Sequence, residues 1–478
     1  MTHECRSSLP TSPDYQCEKP YVATPHTAKS EGTSAFGWIH RLVPTAVRTE
    51  FLTNVVKLSS ATGMGMLLSV AAAPLLTRLY HPSDFGLLSV YSSVFYMVVA
   101  VASLRYDFAL PLAKGERSAA NLLAVCGLLL CVTTGLLVGA TAIWGQELCD
   151  WLGRGDLLPV LWLLPCGFVA AGAFQILNYW SVRHKAYSGL ARANIARSST
   201  EAATQIGMGL AAVGPVGLLL GVVGGYIVAA SLQIKSTLQR DWQLLRQVQR
   251  RRMLHVARRF RSYPTFAAPA SFLNSAGLRM PPLILLACYN PVVVGWFALS
   301  QRVLGLPMRL VGKSISDVYF GEAAECVRER PEDLMGMLRR TVGRLTIAAL
   351  PLLLFAVVAP AVFAIVFGSE WRAAGEYCRV LVVCYAIGFV VISISQLTTY
   401  GFNHWQLGWD TFRLIATSIP LLVAYQWQCS AYVAIAWFAV GASVSYLLLF
   451  GLNVLAIRRL VLESRLRTTT KAQTIDSV

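Results

Sequence analysis

Charge is scarce in this sequence. Asp, Glu, Lys and Arg make up 14% of its 478 residues, where a soluble domain carries about 25%. That shortage excludes an ordinary soluble enzyme, a disordered chain and a fibrous one. Acidic residues are scarcest, 24 against 41 basic ones, leaving a net charge of +17. The eleven cysteines include no Cys-x-x-Cys pair. Cys126, Cys131 and Cys384 lie in apolar runs, where cysteine acts as a small hydrophobe. No disulfide framework and no metal site are expected. His-Glu-x-x-His and Gly-x-Ser-x-Gly are missing as well. Gly312-Lys313-Ser314 has the tail of a phosphate-binding loop. Pro307 stands where that loop's first glycine belongs, and the stretch lies in an apolar helix rather than after a strand. ATP hydrolysis by this chain is therefore not expected, nor is any cofactor.

What fills the chain is apolar sequence. Hydrophobic residues reach 55% and mean hydropathy is +0.54, the composition of a polytopic membrane protein. At roughly 20 apolar residues per spanning helix, the runs predict twelve spans: 58–79, 85–104, 121–145, 157–180, 195–213, 216–234, 264–288, 292–318, 342–367, 373–400, 406–425 and 432–457. The expected architecture is an all-α polytopic membrane protein with two six-helix bundles, 51–234 and 263–459. A disordered cytoplasmic tail (1–50), a basic cytoplasmic connector (235–262) and a C-terminal cytoplasmic tail (460–478) complete it.

The basic residues orient these spans. One side collects 32 of them, counting the loops after the second, fourth, sixth and eighth spans and both tails. The other side holds only Arg78, Arg154, Arg372 and Arg379. The richer side is cytoplasmic, so both termini are, and no nucleic-acid partner is needed to explain the charge. The segment from Lys235 to Arg261 carries nine basic residues and one acidic, Asp241. It reads as a helix joining the halves and facing lipid headgroups.

A repeat is visible. Tyr80-His-Pro82-Ser-Asp-Phe-Gly86 follows the first span, and Tyr289-Asn-Pro291-Val-Val-Val-Gly295 follows the seventh. Tyr, Pro and Gly share one offset of 209 residues. Six spans separate the copies, so the halves have the same orientation, a parallel repeat of the kind transporters use.

Chemistry resides in charged groups within the spans. Arg302, Arg309, Lys313 and Asp317 fall at steps of 7, 4 and 4 on the eighth span, which places them on one helix face. Arg302 lies roughly 15 Å from the outer end at about 1.5 Å per residue, near the bilayer centre. Arg279 is near mid-depth on the seventh span, just before Pro281-Pro282, which should break or kink that helix. A central Arg costs at least about 2.5–3.5 kcal/mol. It needs a carboxylate, a carbonyl freed by a proline, or a wet cavity that takes an anionic head group, which its planar fork grips bidentately. Glu201, Asp410 and Glu376 fall near the predicted helix ends, leaving few mid-membrane acids to neutralise these cations. Arg105-Tyr106-Asp107 closes the second span, either as an interfacial ion pair with an aromatic anchor or as a substrate contact. Asp107 and Glu201 are the candidates for coupling to an ion.

These residues resemble a known family. Arg78-Leu-Tyr80-His-Pro82-Ser-Asp-Phe-Gly86, then Leu104-Arg105-Tyr106-Asp107, is similar to the first two helices of Wzx-type polysaccharide flippases. These belong to the multidrug/oligosaccharidyl-lipid/polysaccharide exporter (MOP) superfamily. Asn178-Tyr-Trp180-Ser-Val-Arg183-His-Lys185-Ala-Tyr187 fits the same family. So do Val294-Gly295-Trp-Phe-Ala-Leu-Ser-Gln301-Arg302-Val-Leu-Gly-Leu-Pro307 and Phe367-Gly368-Ser-Glu370-Trp371-Arg-Ala-Ala-Gly375. The resemblance runs from about Phe51 to Arg459; the long N-terminal tail departs from the family pattern. It implies a V of two bundles around a central cavity in a bacterial inner membrane. It further implies alternating access, a polyprenyl-diphosphate-linked oligosaccharide as cargo, and membrane lipids, a polysaccharide polymerase and a chain-length regulator as partners. The product would be O-antigen, capsule or exopolysaccharide. Arg302 beside Gln301 matches the family's cationic lumen; Arg279, Arg309, Lys313 and Arg105 complete the expected substrate set.

Three other functions compete. A drug exporter of the same superfamily would carry carboxylates for cationic substrates. A membrane polymerase or ligase would need a large outer loop, and the longest here is about eleven residues around Trp151. A structural scaffold would have no use for mid-membrane arginines.

Overall fold

The computed structural model describes residues 64–65, 67–151 and 161–476, all within one unit, Thr53–Val478. The expected N-terminal tail, the start of the first span and the outer loop beyond Trp151 lie outside the described residues.

Every one of the twelve expected spans contains a helix. They are α1 (Leu67–Leu79), α2 (Pro82–Val99), α3 (Glu116–Trp151), α4 (Leu163–Arg183), α5 (Tyr187–Leu210) and α6 (Pro215–Leu245) in the first half. The connector holds α7 (Arg250–Arg259). The second half has α8 (Ala268–Cys288), α9 (Pro291–Pro307), α10 (Lys313–Glu329), α11 (Leu334–Phe367), α12 (Arg372–Ile394), α13 (Asn403–Gln426) and α14 (Ala431–Asp476). Among the described residues, seven helices are long and apolar enough to cross a membrane, with α1 a shorter apolar helix. The other expected spans fall short because α2 is rich in serine, α5 and α8 carry arginines, and α9 is divided from α10. Leu136 on α3 and Leu354 and Ile365 on α11 are each at least 70% exposed, surface that suits lipid.

Four elements depart from the expected layout. The fifth span starts earlier than expected, because α5 begins at Tyr187 and takes in Arg192. The connector is not separate from the first half. α6 continues to Leu245, and α7 then packs Val256, with Met253, Ala257 and Phe260, into the core of the first half. The C-terminal tail continues α14 as helix to Asp476. Pro281 and Pro282 do not break α8, which runs unbroken from Ala268 to Cys288 after a widened turn at Tyr263–Ala267.

The repeat has a physical basis. Pro82 and Pro291 each occupy the first turn of a helix, where a missing N–H costs nothing. The Asp84 carboxylate accepts from the His81 N–H at 3.1 Å, and the Asn290 side chain accepts from the Val293 N–H at 2.9 Å. Each repeat tyrosine ties down a neighbour within its half. Tyr80 donates to the Gln205 carbonyl on α5 at 2.7 Å, and Tyr289 to the Cys429 carbonyl just after α13 at 3.1 Å.

The two repeat segments also pack on each other. A Cβ on Gly86 would lie 2.8 Å from the carbonyl carbon of Pro291, and one on Gly295 would lie 2.7 Å from that of Pro82, closer still to the oxygens. Only glycine permits this approach, and it is reciprocal. Phe85, Leu76 and Ala72 share one core with Val294, Phe297 and Trp371. The Trp371 indole N–H donates to the Thr77 carbonyl at 3.0 Å, and its ring meets Phe85 edge-on at 5.0 Å. His81 reaches the Glu370 carboxylate at 3.2 Å. At this end the halves are closed on each other.

Candidate functional site: a cationic cavity between the halves

Beneath that closed end lies a cavity of about 530 Å³. α1, α2 and α5 wall it from the first half, α8 and α9 from the second. α5 reaches it because α6 presents Gly217, Gly221 and Gly225 to it. A Cβ on Gly221 would lie 2.9 Å from the Glu201 carbonyl, and one on Gly225 2.8 Å from that of Arg197. Small residues at a four-residue spacing let helix backbones approach closely.

Four arginines line the cavity: Arg197, Arg279, Arg302 and Arg309. Glu201 is the sole carboxylate among the described lining residues, leaving a formal excess of three positive charges (four minus one). Gln301 lines it too. Five of the eight residues singled out from sequence, Arg279, Gln301, Arg302, Arg309 and Glu201, thus come together here. Arg302 sits about 16 Å along α9 from Pro291 at 1.5 Å per residue. Its guanidinium donates to the Ser69 carbonyl on α1 at 2.6 Å, across the two halves. Arg279 lies over the Tyr96 ring, 4.6 Å from its centroid. Among the described residues Arg279, Arg302 and Arg309 have no carboxylate within 4.0 Å.

Lys313, Arg105 and Asp107 do not line the cavity. The single face expected for Arg302, Arg309, Lys313 and Asp317 is interrupted. Pro307 supplies no N–H, and the next turn, Met308–Gly312, is a wider π turn. Its extra residue rotates everything after it. Lys313 and Asp317 consequently pair with each other in an exposed position. Arg105 adopts a left-handed backbone (φ 63°) and lies over Phe108 at 4.4 Å. Asp107 is fully buried and accepts from the Ser103 hydroxyl at 2.8 Å and the Gln175 amide at 2.8 Å.

Two acids sit deeper in their helices than expected. Glu201 is in the middle of α5, where it accepts from Arg197 at 2.9 Å. Asp410 is buried within α13 and pairs with Arg413 at 3.1 Å. Arg413 also donates to the Asn274 side chain on α8 at 2.7 Å and covers Trp409 at 4.5 Å. It is a packing ion pair outside the cavity lining.

Sequence reasoning missed Arg197 and Tyr96. The signal for Arg197 was present: Arg197, Glu201 and Gln205 recur every fourth residue between Ala193 and Gly209, which marks one polar helix face. Arg197 carries its charge beside Tyr226 at 5.2 Å, and Tyr226 meets Tyr96 at 3.5 Å between hydroxyls. The cavity is thus an array of guanidinium groups braced by aromatic faces and carbonyls. It is suited to an anion with several oxygens.

Solved structures of similar fold are membrane transporters. The inward-facing conformation of a multidrug resistance MATE family transporter of the MOP superfamily superposes with TM-score 0.67 at 14% identity, covering 85% of this chain and 98% of that one. The lipid II flippase MurJ in an inward closed conformation gives 0.64 at 9% identity, covering 88% and 93%. An outward-facing MATE family transporter of the MOP superfamily gives 0.54 at 12% identity, covering 85% and 96%. These likenesses show a shared fold. No curated protein sequence matches the chain. A profile for "Polysaccharide biosynthesis protein" matches residues 75–376. This multi-pass membrane protein therefore belongs to that family of polysaccharide biosynthesis proteins.

Proposed function

We propose that the protein is a flippase for a polyprenyl-diphosphate-linked oligosaccharide, carried from the cytoplasmic to the periplasmic leaflet for O-antigen, capsule or exopolysaccharide assembly. The observation that carries this is the cavity with four arginines and one glutamate, closed at the repeat end. The family and the likeness to a lipid II flippase support it. In this reading the repeat end is periplasmic, both termini are cytoplasmic, and the chain lies in a bacterial inner membrane. The diphosphate enters from the cytoplasmic side, and the lipid tail stays in the bilayer. Arg279, Arg302, Arg309 and Arg197 hold the diphosphate beside Gln301. Rocking of the halves then opens the repeat end.

Glu201 serves as the coupling group, because it competes with the cargo for Arg197 inside the cavity. Asp107, held by Ser103 and Gln175, is the alternative outside it. Lys313 and Arg105 have no part in holding the diphosphate. The drug-exporter reading is disfavoured by the excess positive charge, since a cationic drug would be repelled.

The test is export in a deletion strain complemented with Arg302→Ala and Arg279→Ala. Lipid-linked repeat units should accumulate on the cytoplasmic leaflet while the variants remain inserted at normal levels. Wild-type export by both variants removes the cavity from the transport path.

A further inference from the structure

A second basic site stands apart from the central cavity. The connector helix α7 lies beside the start of α3. The Asn121 side chain accepts from the Gln249 N–H at 3.0 Å, and the Arg117 guanidinium donates to the Gln247 side chain at 3.1 Å. Behind them, the Tyr106 hydroxyl donates to the Ala257 carbonyl at 3.0 Å. The apolar side of α7 is sunk into the core of the first half, so its arginines are directed elsewhere. Between α7 and α3 a pocket of about 690 Å³ remains.

Lys114 and Arg117 form one wall of that pocket, and Arg251, Arg252 and His255 the other. Its one acid, Glu116, is already committed. One carboxylate oxygen accepts from Arg183 at 3.1 Å, and the other meets His184 at 3.2 Å. Among the described residues, no carboxylate lies within 4.0 Å of Lys114, Arg117, Arg251 or Arg252. The pocket thus presents four permanent cations with no counter-charge of their own.

Its position names the ligand class. α3 is a long apolar helix beginning at Glu116, so the pocket sits where a span leaves the membrane. Leu128, Val132 and Leu136 run outward-facing down the same helix. An amphiphile with an anionic phosphate head and acyl tails satisfies both surfaces. A basic pocket at a membrane surface is chemistry that anionic phospholipids recognise. The start of α3 adds partial positive charge toward the same headgroup.

We infer that the pocket between α7 and α3 binds the headgroup of an anionic phospholipid, with one phosphate bridging Lys114 and Arg117 to Arg251 and Arg252. Such a lipid fastens the connector to the first half. The connector leads directly into α8, which carries Arg279, so the lipid steadies one wall of the central cavity. This inference does not depend on what that cavity carries.

The experiment uses the full chain in nanodiscs of phosphatidylcholine with increasing cardiolipin. It is read by native mass spectrometry and by thermal unfolding. The wild type should retain cardiolipin and gain Tm, and the pair Arg251→Gln/Arg252→Gln should reduce retention at least tenfold. Arg251→Lys/Arg252→Lys, which keeps the charge, should retain the lipid, separating a lost site from a damaged fold. Inorganic phosphate and a polyprenyl diphosphate serve as competitors. Equal retention by the Gln pair and the wild type overturns the inference. So does a Tm gain reproduced by inorganic phosphate alone, and so does displacement of the lipid by polyprenyl diphosphate, which would make the pocket part of the cargo path.

Discussion

Replacing Gly86 or Gly295 with alanine should open the closed end. In this structure each added Cβ falls within 2.8 Å of the facing proline's carbonyl carbon, and closer to its oxygen. Backbone atoms cannot swing aside, so α2 and α9 must separate. Overpacking of this kind costs about 1–3 kcal/mol. Both positions are helical, and Gly→Ala in a helix interior returns about 1 kcal/mol. That return is the same in any state that keeps the helices, so it cancels in the balance between closed and open. The overpacking cost does not cancel, because only the closed state needs the contact. At tenfold per 1.4 kcal/mol, each substitution shifts the balance toward the open state by roughly five- to a hundredfold. The assay places a reporter cysteine at Ala298, which lines the cavity, in a background with the other cysteines replaced. Labelling by an impermeant thiol reagent from the repeat end should rise in Gly86→Ala and Gly295→Ala. It should be unchanged in Gly321→Ala, whose Cβ meets nothing within 4 Å. Unchanged labelling in both repeat variants would refute the claim that these glycines hold the end shut.

Other outcomes follow from the same geometry. Glu201→Gln removes the only described carboxylate in the cavity and frees Arg197. Binding of a short-chain polyprenyl diphosphate should tighten, with a steeper loss of affinity as salt rises; titration calorimetry at two ionic strengths reads both. Asp410→Asn leaves Arg413 buried without its carboxylate and should cost about 3–5 kcal/mol, seen as a fall in Tm. The double variant Asp410→Asn/Arg413→Met should recover most of that loss. Trp371→Phe keeps the ring against Phe85 but loses the bond to the Thr77 carbonyl, worth about 1 kcal/mol. It should raise repeat-end labelling by less than the glycine variants do. Lys313→Gln should leave export unchanged, because Lys313 is exposed and paired with Asp317 away from the cavity.

The class of fold was legible because lipid imposes long apolar runs that no soluble helix needs. The repeat was legible because two proline-initiated turns and two glycine contacts demand the same residue types 209 positions apart. Arg279, Arg302 and Arg309 stood out because guanidinium groups are costly in apolar surroundings. The helices that line the cavity were harder to read for a related reason. A face that meets water inside a membrane looks like a loop in composition, so the apolar pattern starts the fifth span only at Ile195, whereas α5 starts at Tyr187 and carries Arg192, Arg197 and Glu201. The register error at Lys313 has a different origin. Steps of four are continuous only in an unbroken α-helix, and the π turn after Pro307 is a property of backbone hydrogen bonding that residue spacing does not encode.

The arrangement of charge ties cargo to motion in the proposed cycle. Arg302 belongs to the second half, yet its bond runs to the Ser69 carbonyl of the first. Any rocking that separates α9 from α1 must break it. A carbonyl carries only a partial charge, whereas a phosphate oxygen is an ionised acceptor and bonds a guanidinium roughly twice as strongly. A diphosphate in the cavity therefore replaces this tether without leaving Arg302 unsatisfied, and an empty cavity does not. The same exchange applies at Arg197, which must leave Glu201 to meet the cargo. Arg302→Lys should then separate two functions. It keeps the positive charge but loses the planar fork that can hold the carbonyl and the phosphate in turn. It should keep a measurable affinity for the diphosphate while export falls steeply. Export at the wild-type rate in Arg302→Lys would show that charge alone suffices and that the tether plays no part in the cycle.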